Sequence, residues 1–290
     1  MNQNIKIFRA ITFSSIFIFS SIIVKVQGQT PDASEPDNRP VKNPFDASSL
    51  VDQQTVVSPL AGGFEFNLEH RFLEVSNDPR QLFGILSGSS NVRLGVNYGI
   101  TDRIMIGVGA SYDGYQDALL KIAILRQTRS GSMPVSLSYY GNILLDSRDQ
   151  SVFDEYVKYP DVYRLSYFNE LIIARKFNKT FSLEVAPNVS YYNAVDSAYN
   201  NLTFGLSFNG RAKVYKNIAV IAVYDQQLTK PKTINIQPIG AAGLEIGTST
   251  HSFQIYVTNS SLIHNQTDYV FNTNKVFSKP ILGFNLTVRF

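Results

Sequence analysis

The chain has 290 residues, of which 26 are basic, 23 are acidic and none is cysteine. The absence of cysteine excludes a disulfide framework, a thiolate metal site and a lipid-modified cysteine. The length is compatible with one large all-β unit or with two ordinary domains.

The first segment, residues 1–28, has the pattern of a secretory signal peptide. Lys6 and Arg9 form its positive region, and residues 10–24 form its apolar core. A membrane anchor is the alternative, but the apolar run is shorter than the roughly 20 residues of a membrane helix and is diluted by serines. We therefore expect an exported protein whose mature chain starts at residue 29.

Removal of this segment changes the charge balance. Lys6, Arg9 and Lys25 would leave with it and no acidic residue would, so 23 basic residues would face 23 acidic ones. A neutral chain gives no electrostatic basis for binding nucleic acid. We expect no nucleic-acid partner.

Residues 29–61 follow, and they include "QTPDASEPDNRPVKNPF". The stretch is rich in Pro, Asp and Asn and has no periodicity, which favours an exposed periplasmic linker.

From residue 62 to residue 290 the chain consists of segments in which apolar and polar residues alternate. Beyond the signal, no apolar run is long enough for a membrane helix, whereas alternation is typical of strands. The pattern predicts twelve strands, at 62–72, 91–98, 103–113, 116–127, 134–146, 162–177, 181–192, 201–214, 218–228, 234–246, 251–258 and 280–290.

The connections between these strands differ in length. Short turns fall after every second strand, at 99–102, 128–133, 178–180, 215–217 and 247–250. The other connections, such as 73–90, 147–161 and 259–279, are mostly longer and more polar. This segregation is typical of a transmembrane antiparallel up-and-down β-barrel with short periplasmic turns, longer extracellular loops and an even number of strands. We expect residues 62–290 to form such a barrel in a bacterial outer membrane.

The parity of the strands predicts which side chains enter the lumen. In the segment 201–214, Leu202 and Phe204 share one face, whereas Arg211 and Lys213 share the other. Lipid on the apolar side and a polar lumen on the other explain this arrangement. The predicted lumen-lining charges are Arg71, Arg93, Arg103, Lys121, Arg164, Lys176, Arg211, Lys213 and Arg289, against Glu65, Glu69, Glu170, Glu184, Asp225 and Glu245.

Three positions do not fit this scheme. Asn169 would face lipid, and Pro187 and Pro238 would lie inside strands of a barrel that has no free edge. Because proline removes a ladder hydrogen bond, we expect a β-bulge at one or more of these positions.

Several blocks together resemble a known family. The most specific are "YGITDR" and "LIIARKF", and others are "FEFNLEHRF", "PVSLSYYG" and "FQIYVTNS". Over about residues 39–290 the chain is similar to an uncharacterised outer-membrane β-barrel family of Bacteroidetes-type bacteria, known as a domain of unknown function. The resemblance implies the fold and the location, and it carries no catalytic or ligand residues.

The chain ends on "FNLTVRF", with Phe290 as its last residue. This ending is similar to the C-terminal aromatic signal that the barrel-assembly machinery recognises. We therefore expect Phe290 to act in assembly, with that machinery as a partner during insertion.

The candidates for chemistry are few. His70, His251 and His264 are the only histidines, and their predicted positions place them apart from one another. A hydrolase needs a Ser–His pair on one wall, and a metal site needs converging ligands. The sequence predicts no catalytic residue, no metal site, no cofactor and no enzymatic activity.

Two functions stay open. Lumen charges of both signs favour a narrow passive channel for small solutes, at most mildly anion-selective. The alternative is a closed barrel with a structural or surface-interaction role, in contact with outer-membrane lipid and lipopolysaccharide. A secreted soluble β-sandwich is a distant third, and the oligomeric state is not predicted.

Overall fold

The computed structural model describes residues 36–42, 44–74, 91–152, 160–231, 233–276 and 278–290. The predicted signal peptide, residues 1–28, lies outside them. Within the described residues, 37–290 form one unit.

Twelve long strands in the described part of the chain close into an antiparallel barrel. Each strand pairs with its neighbours in sequence, and the last strand closes the barrel by pairing with the first. The strands are β3 (Phe64–Glu74), β4 (Asn91–Thr101), β5 (Ile104–Ser111), β6 (Tyr115–Leu125), β7 (Ser136–Asp146), β8 (Leu165–Lys176), β9 (Phe181–Tyr192), β10 (Leu202–Tyr215), β11 (Ile218–Gln227), β12 (Ile239–Gly247), β13 (His251–Thr258) and β14 (Ile281–Arg289). The predicted fold and strand number are confirmed.

The largest difference in strand bounds concerns the predicted strand 234–246. The observed strand, β12, begins only at Ile239, directly after Pro238. Because proline cannot donate to the ladder, it is placed at the start of a strand rather than inside it. Pro238 therefore needs no bulge.

The bulges expected at Asn169 and Pro187 are also absent. The pairs Glu170–Asn188 and Ile173–Val185 belong to the same alignment of β8 with β9, so the register continues past Pro187. The described register shifts lie near strand ends instead, for example between Lys213 and Tyr215. Asn169 therefore keeps the outward position that parity assigns to it.

The connections segregate by length, as predicted. At one end of the barrel they are 102–103, 126–135, 177–180, 216–217 and 248–250, and we call this the turn end. We call the other end the loop end, and its longest described connection is 259–280. The connection 112–114 is short although it lies at the loop end. No helix in the described residues is long and apolar enough to cross a membrane.

The two faces of the wall differ in chemistry. Outward side chains are apolar and exposed, such as Val108 at 62% and Phe204 at 49%. The inward positions between them are buried and largely polar, as Ser207 and Asn209 show on β10. This is the pattern of a barrel that has lipid outside.

The exposed linker predicted for residues 29–61 is wrong between Phe45 and Thr55. Apart from the half-buried Asp46, every residue of this stretch is buried. Ser49–Leu50 (β1) pairs with Gln53–Gln54 (β2) in a small hairpin. Contacts with the inward side chains of the wall place the stretch in the lumen, and we call residues 44–57 the N-terminal plug.

A second segment fills the lumen from the loop end. The connection between β13 and β14 contains a short helix, α1 (Asn265–Phe271), in which every residue except Phe271 is buried. We call α1 the loop helix. The core of the protein is therefore the filled interior of the barrel.

Candidate functional site

Most of the charged residues predicted to line the lumen are buried on the inward side of the wall. Ten of them are buried in the strands: Glu65, Glu69, Arg71, Arg93, Lys121, Glu170, Glu184, Arg211, Asp225 and Glu245. Arg289 lies at the turn end, where its Nε is 3.3 Å from Oε2 of Glu65. Half-buried Lys176 also lies near the turn end, and its Nζ donates to the carbonyl oxygen of Lys42 at 2.6 Å.

Three predicted residues lie at the rims instead of in the lumen. Arg103 is exposed in the turn before β5 and donates to the carbonyl oxygen of Ile124 at 3.1 Å. Lys213 is exposed beside the register shift of β10. Arg164 lies in the connection before β8, where it donates to the carbonyl oxygen of Arg148 at 2.6 Å. Arg103 and Arg164 lie outside the strands, where parity does not apply, and Lys213 lies in the last regular pair of its ladder, at the rim of the barrel.

Ion pairs join the N-terminal plug to the wall. Arg211 of β10 binds Asp46 of the plug through one nitrogen, and its Nε lies 2.5 Å from Oε2 of Glu245 on β12. Arg71 of β3 binds Asp52 near the tip of the plug. Because all these groups are sheltered from water, each charge depends on its partner.

Hydrogen bonds from the wall also hold the plug backbone. Lys121 donates from Nζ to the carbonyl oxygens of Ser48 and Val57, at 2.9 and 3.0 Å. At the hairpin tip, Gln254 accepts from the amide of Val51 at 2.9 Å, and Asn285 donates to the carbonyl oxygen of Val51 at 2.6 Å.

Val51 itself has a φ of +56°, a conformation that β-branched residues rarely adopt. Such a conformation persists only where surrounding contacts determine it. The bonds from Gln254 and Asn285 are contacts of this kind, so the wall fixes the tip of the hairpin.

Apolar contacts also hold the plug against the wall. Phe45, Leu50 and Val51 belong to one buried cluster that also includes Ile221 and Tyr256 of the wall. The plug is thus packed as a core element rather than laid loosely in a water-filled lumen.

The loop helix meets the plug and the opposite wall. Asn265 donates to the carbonyl oxygen of Asp52 at 3.2 Å, which links the two segments directly. Tyr269 reaches β9 and β10, where its hydroxyl lies 2.8 Å from both Asn188 Nδ2 and Ser207 Oγ. The ring of Tyr269 lies over Gly205 and occupies the space that a Cβ at this position would need.

A charged cluster lines a small cavity between the plug, the loop helix and the wall. Arg93 binds Asp117 at 2.7 Å and Glu69 at 3.0 Å. The cavity beside it has a volume of about 20 Å³ and is also lined by His264 and Asn265. A cavity of this size holds about one water molecule.

His264 also brings together three residue types that hydrolases use. Its Nε2 lies 3.0 Å from Ser111 Oγ, and its Nδ1 lies 3.9 Å from Asp117. Burial lowers the pKa of His264 to about 4, and the carboxylate of Asp117 offsets this only in part.

The arrangement nevertheless lacks the features of a working triad. The Ser111 hydroxyl donates to Asp113 at 2.5 Å, and Asp117 is occupied by Arg93. The adjacent cavity has room for about one water molecule rather than for a substrate. The cluster therefore anchors the loop helix.

The other histidines lie elsewhere. His70 packs on the outer face against Phe72 and Phe284, and His251 lies exposed at the turn end. No group of three or more His, Asp or Glu residues in the described part of the chain could hold a metal ion.

Sequence reasoning missed the residues that close the lumen. Asp46, Asp52 and Tyr269 lie in segments assigned to a linker or a loop. The run "SSLVDQQTVV" within the plug contains β-branched residues and no Pro or Gly, which could have indicated an ordered segment. Asp117 was missed on β6, although it shares the parity of Lys121.

Comparison with known proteins bears on this architecture. The profile of one family, described as a membrane bound beta barrel domain (DUF5777), matches residues 45–290. The chain belongs to this family. The match begins at Phe45, so the family's domain includes the N-terminal plug, and it confirms the resemblance seen in the sequence.

Solved structures of other barrels are similar in outline. The KdgM porin has 6% sequence identity and a TM-score of 0.48, over 79% of this chain and 99% of the porin. The NanC porin has 7% identity and a TM-score of 0.49, over 77% and 98%. An outer membrane channel from Pseudomonas putida F1 has 11% identity and a TM-score of 0.46, over 81% and 97%. A search of curated proteins finds no match.

Proposed function

We propose that this member of the membrane-bound barrel family is a gated channel for small polar solutes in a bacterial outer membrane. The N-terminal plug is its gate, and the structure corresponds to the closed state. The proposal rests on the polar contacts between the plug and the wall. The wall residues that bind plug atoms are Arg71, Lys121, Arg211, Gln254 and Asn285. Once the plug leaves, these groups face water and line a hydrophilic path.

A gated channel replaces the narrow passive channel that the sequence favoured. The plug and the loop helix pack against the wall in the described part of the lumen, and the cavity that they leave beside Arg93 has room for about one water molecule. A twelve-stranded barrel is wider than the eight-stranded barrels that side chains alone can fill. Here two chain segments supply the additional filling.

The charge of the wall changes the expected ion preference. The buried inward charges of the described strands comprise four bases, Arg71, Arg93, Lys121 and Arg211, against seven acids, Glu65, Glu69, Asp117, Glu170, Glu184, Asp225 and Glu245. We therefore expect a mild cation preference in the open state, in place of the mild anion preference inferred from the sequence.

The competing function is a permanently closed barrel with a structural or surface role. The apolar packing of Phe45 and Leu50 against Ile221 and Tyr256 favours it, because a gate must leave this cluster to open. The polar contacts favour the gated channel, since they exchange for water at little net cost. We infer no enzymatic activity under either function, in keeping with the occupied Ser111 and Asp117.

The proposal also includes an orientation of the barrel in the membrane and a route of export. The turn end faces the periplasm, where the N-terminal segment enters the lumen beside the turn at 126–135, which it contacts through Val41 and Arg39. The loop end faces outward, toward lipopolysaccharide. The signal peptide directs export, and the barrel-assembly machinery inserts the chain.

Planar-bilayer conductance of the purified protein tests the proposal, with a deletion of residues 36–57 as the comparison. A heat-dependent shift on gels verifies that each barrel is folded. We expect rare openings for the full chain and steady, mildly cation-selective conductance for the deletion variant. Silence of a folded deletion variant would favour the closed barrel.

A further inference from the structure

Asn169 is a polar residue on the lipid-facing side of the wall. It pairs with Gly141 of β7 and with Val189 of β9 in unbroken ladders, so no bulge turns its side chain inward. The residue is half-buried, and the neighbouring outward residue Leu171 is exposed to 45%. A polar side chain at such a position calls for a partner.

The hydrogen bonds of the Asn169 amide are only half satisfied. The hydroxyl of Tyr139, on β7, donates to its Oδ1 at 2.5 Å. Its Nδ2 carries two further N–H donors, and no described residue accepts from them. Because hydrocarbon offers no acceptor, such donors carry a large penalty unless a polar group of the surroundings meets them.

A groove leads to this amide along the outer face of β6, β7 and β8. It has a volume of about 380 Å³, and Ala118, Gly141, Ile143 and Tyr167 line it. A Cβ at Gly141 would lie 2.8 Å from the Tyr139 hydroxyl, so a larger residue at this position would displace the end of the Tyr139 side chain. The small residues Ala118 and Gly141 thus let Tyr139 reach Asn169, and they leave the apolar groove open beside the amide.

The depth of the groove indicates what fills it. Tyr167 lies two residues nearer the loop end, and its ring stacks on Tyr191 with centroids 6.4 Å apart. Outward tyrosines mark the level of the lipid headgroups. Asn169 therefore lies just below that level, where the ester carbonyls of acyl chains meet the hydrocarbon.

We propose that Asn169 and Tyr139 form a binding site for an acyl-ester lipid of the leaflet at the loop end. Nδ2 of Asn169 donates to an ester carbonyl, and the attached acyl chain lies in the groove over Ala118 and Gly141. Tyr139 holds the amide oxygen, so that the N–H donors point into the groove. The site depends on the membrane-bound barrel and not on the gating of the lumen.

Native mass spectrometry of the full chain, released from detergent, tests the site. The probes are phosphatidylethanolamine with two ester-linked chains and its analogue with two ether-linked chains of the same length. We expect the wild type to bind the ester lipid about threefold to tenfold more tightly than the ether lipid, the range expected for one hydrogen bond in a membrane.

The Asn169→Leu variant should bind both lipids at the weaker level. Ile255→Ala, on the lipid face of β13 at the far side of the barrel, should retain the preference of the wild type. A heat-dependent gel shift shows that each variant is folded.

Equal retention of ester and ether lipids by the wild type would overturn the proposal without any variant. An ester preference that survives in Asn169→Leu would place the acceptor elsewhere and would overturn it as well. If Asn169→Leu abolished a dimer of the protein and left lipid binding unchanged, this face would bind a second copy of the chain, and the lipid site would be wrong.

Discussion

Arg211 of the barrel wall and Asp46 of the N-terminal plug form a partly buried ion pair at the turn end of the lumen. The same guanidinium donates to Glu245 on β12 at 2.5 Å, so it ties the plug to two strands at once. Asp46 lies at the start of the plug, directly after buried Phe45, where the chain enters the barrel. This contact is therefore the first that must break if the plug leaves toward the turn end.

Asp46→Asn should destabilise the closed state while leaving Arg211 paired with Glu245. A charge-assisted hydrogen bond contributes about 1.5–3 kcal/mol, which corresponds to a roughly tenfold to hundredfold larger open population. Single-channel recordings measure the open fraction. Asp37→Asn removes exposed pairs with Arg39 and with Arg129 of the turn at 126–135, and it should leave that fraction almost unchanged because exposed pairs contribute little. Equal effects of the two variants would contradict the role of Arg211.

Gly205→Val should displace the loop helix. The ring of Tyr269 occupies the space above residue 205, and added bulk in a packed core costs about 1–3 kcal/mol. We expect a cysteine placed at buried Thr267 to react faster with a thiol reagent in this variant. Gly210→Ala on the same strand is the control, because its Cβ would meet only Leu183 at 3.4 Å. An unchanged labelling rate would show that Tyr269 does not hold the helix.

The contribution of His264 to docking of the loop helix should weaken as the pH falls from about 6.5 to about 4. Burial lowers the pKa of His264 to about 4, whereas the released loop would titrate near 6.5. The released state therefore binds a proton first, and the docked state loses up to about 3 kcal/mol, fully at pH values below 4. Well above pH 6.5, His264 is neutral in both states and contributes no pH dependence.

Hydrogen exchange of residues 265–271, corrected for its intrinsic pH dependence, measures this loss. His264→Gln cannot take up this proton, so its protection should fall less between pH 7 and pH 4 than that of the wild type. Burial raises the pKa of Asp268 in the same helix, and its protonation acts in the opposite direction in both proteins. If wild type and variant responded alike, another group would control docking.

The wall was predictable from sequence because lipid and water impose alternation on every strand. The segment 201–214 shows this, since its inward and outward faces are both as predicted up to Arg211. Pro187 shows the limit, because a single missing ladder bond was tolerated without a bulge.

The filling of the lumen was not predictable by the same reasoning. The plug and the loop helix lack amphipathic periodicity because the lumen surrounds them with polar and apolar partners on all sides. Asp46 and Asp52 look like solvated residues in the sequence, and only the positions of Arg211 and Arg71 across the lumen make them buried. Such pairings join residues far apart in the chain, so no local pattern reveals them.

Deletion of Phe290 should separate assembly from stability. The side chain is exposed to 80%, and its burial in the interface contributes only about 1–2 kcal/mol. We expect much lower levels in outer membranes of cells and almost unchanged refolding into detergent micelles, since recognition by the assembly machinery is lost. Equal losses in both assays would mean that Phe290 is a structural residue.

The most direct test of the gate is a reversible lock between the plug and the wall. A Cβ at Gly247 would lie 3.0 Å from Cβ of Asp46, close to the 3.5–4.5 Å of a disulfide, and the chain has no other cysteine. In the double variant Asp46→Cys, Gly247→Cys, we expect no conductance when oxidised and frequent openings after reduction, because the reduced variant also lacks the pair with Arg211. Equal conductance in both states, or silence of the reduced and folded barrel, would contradict a plug that opens the lumen by leaving it.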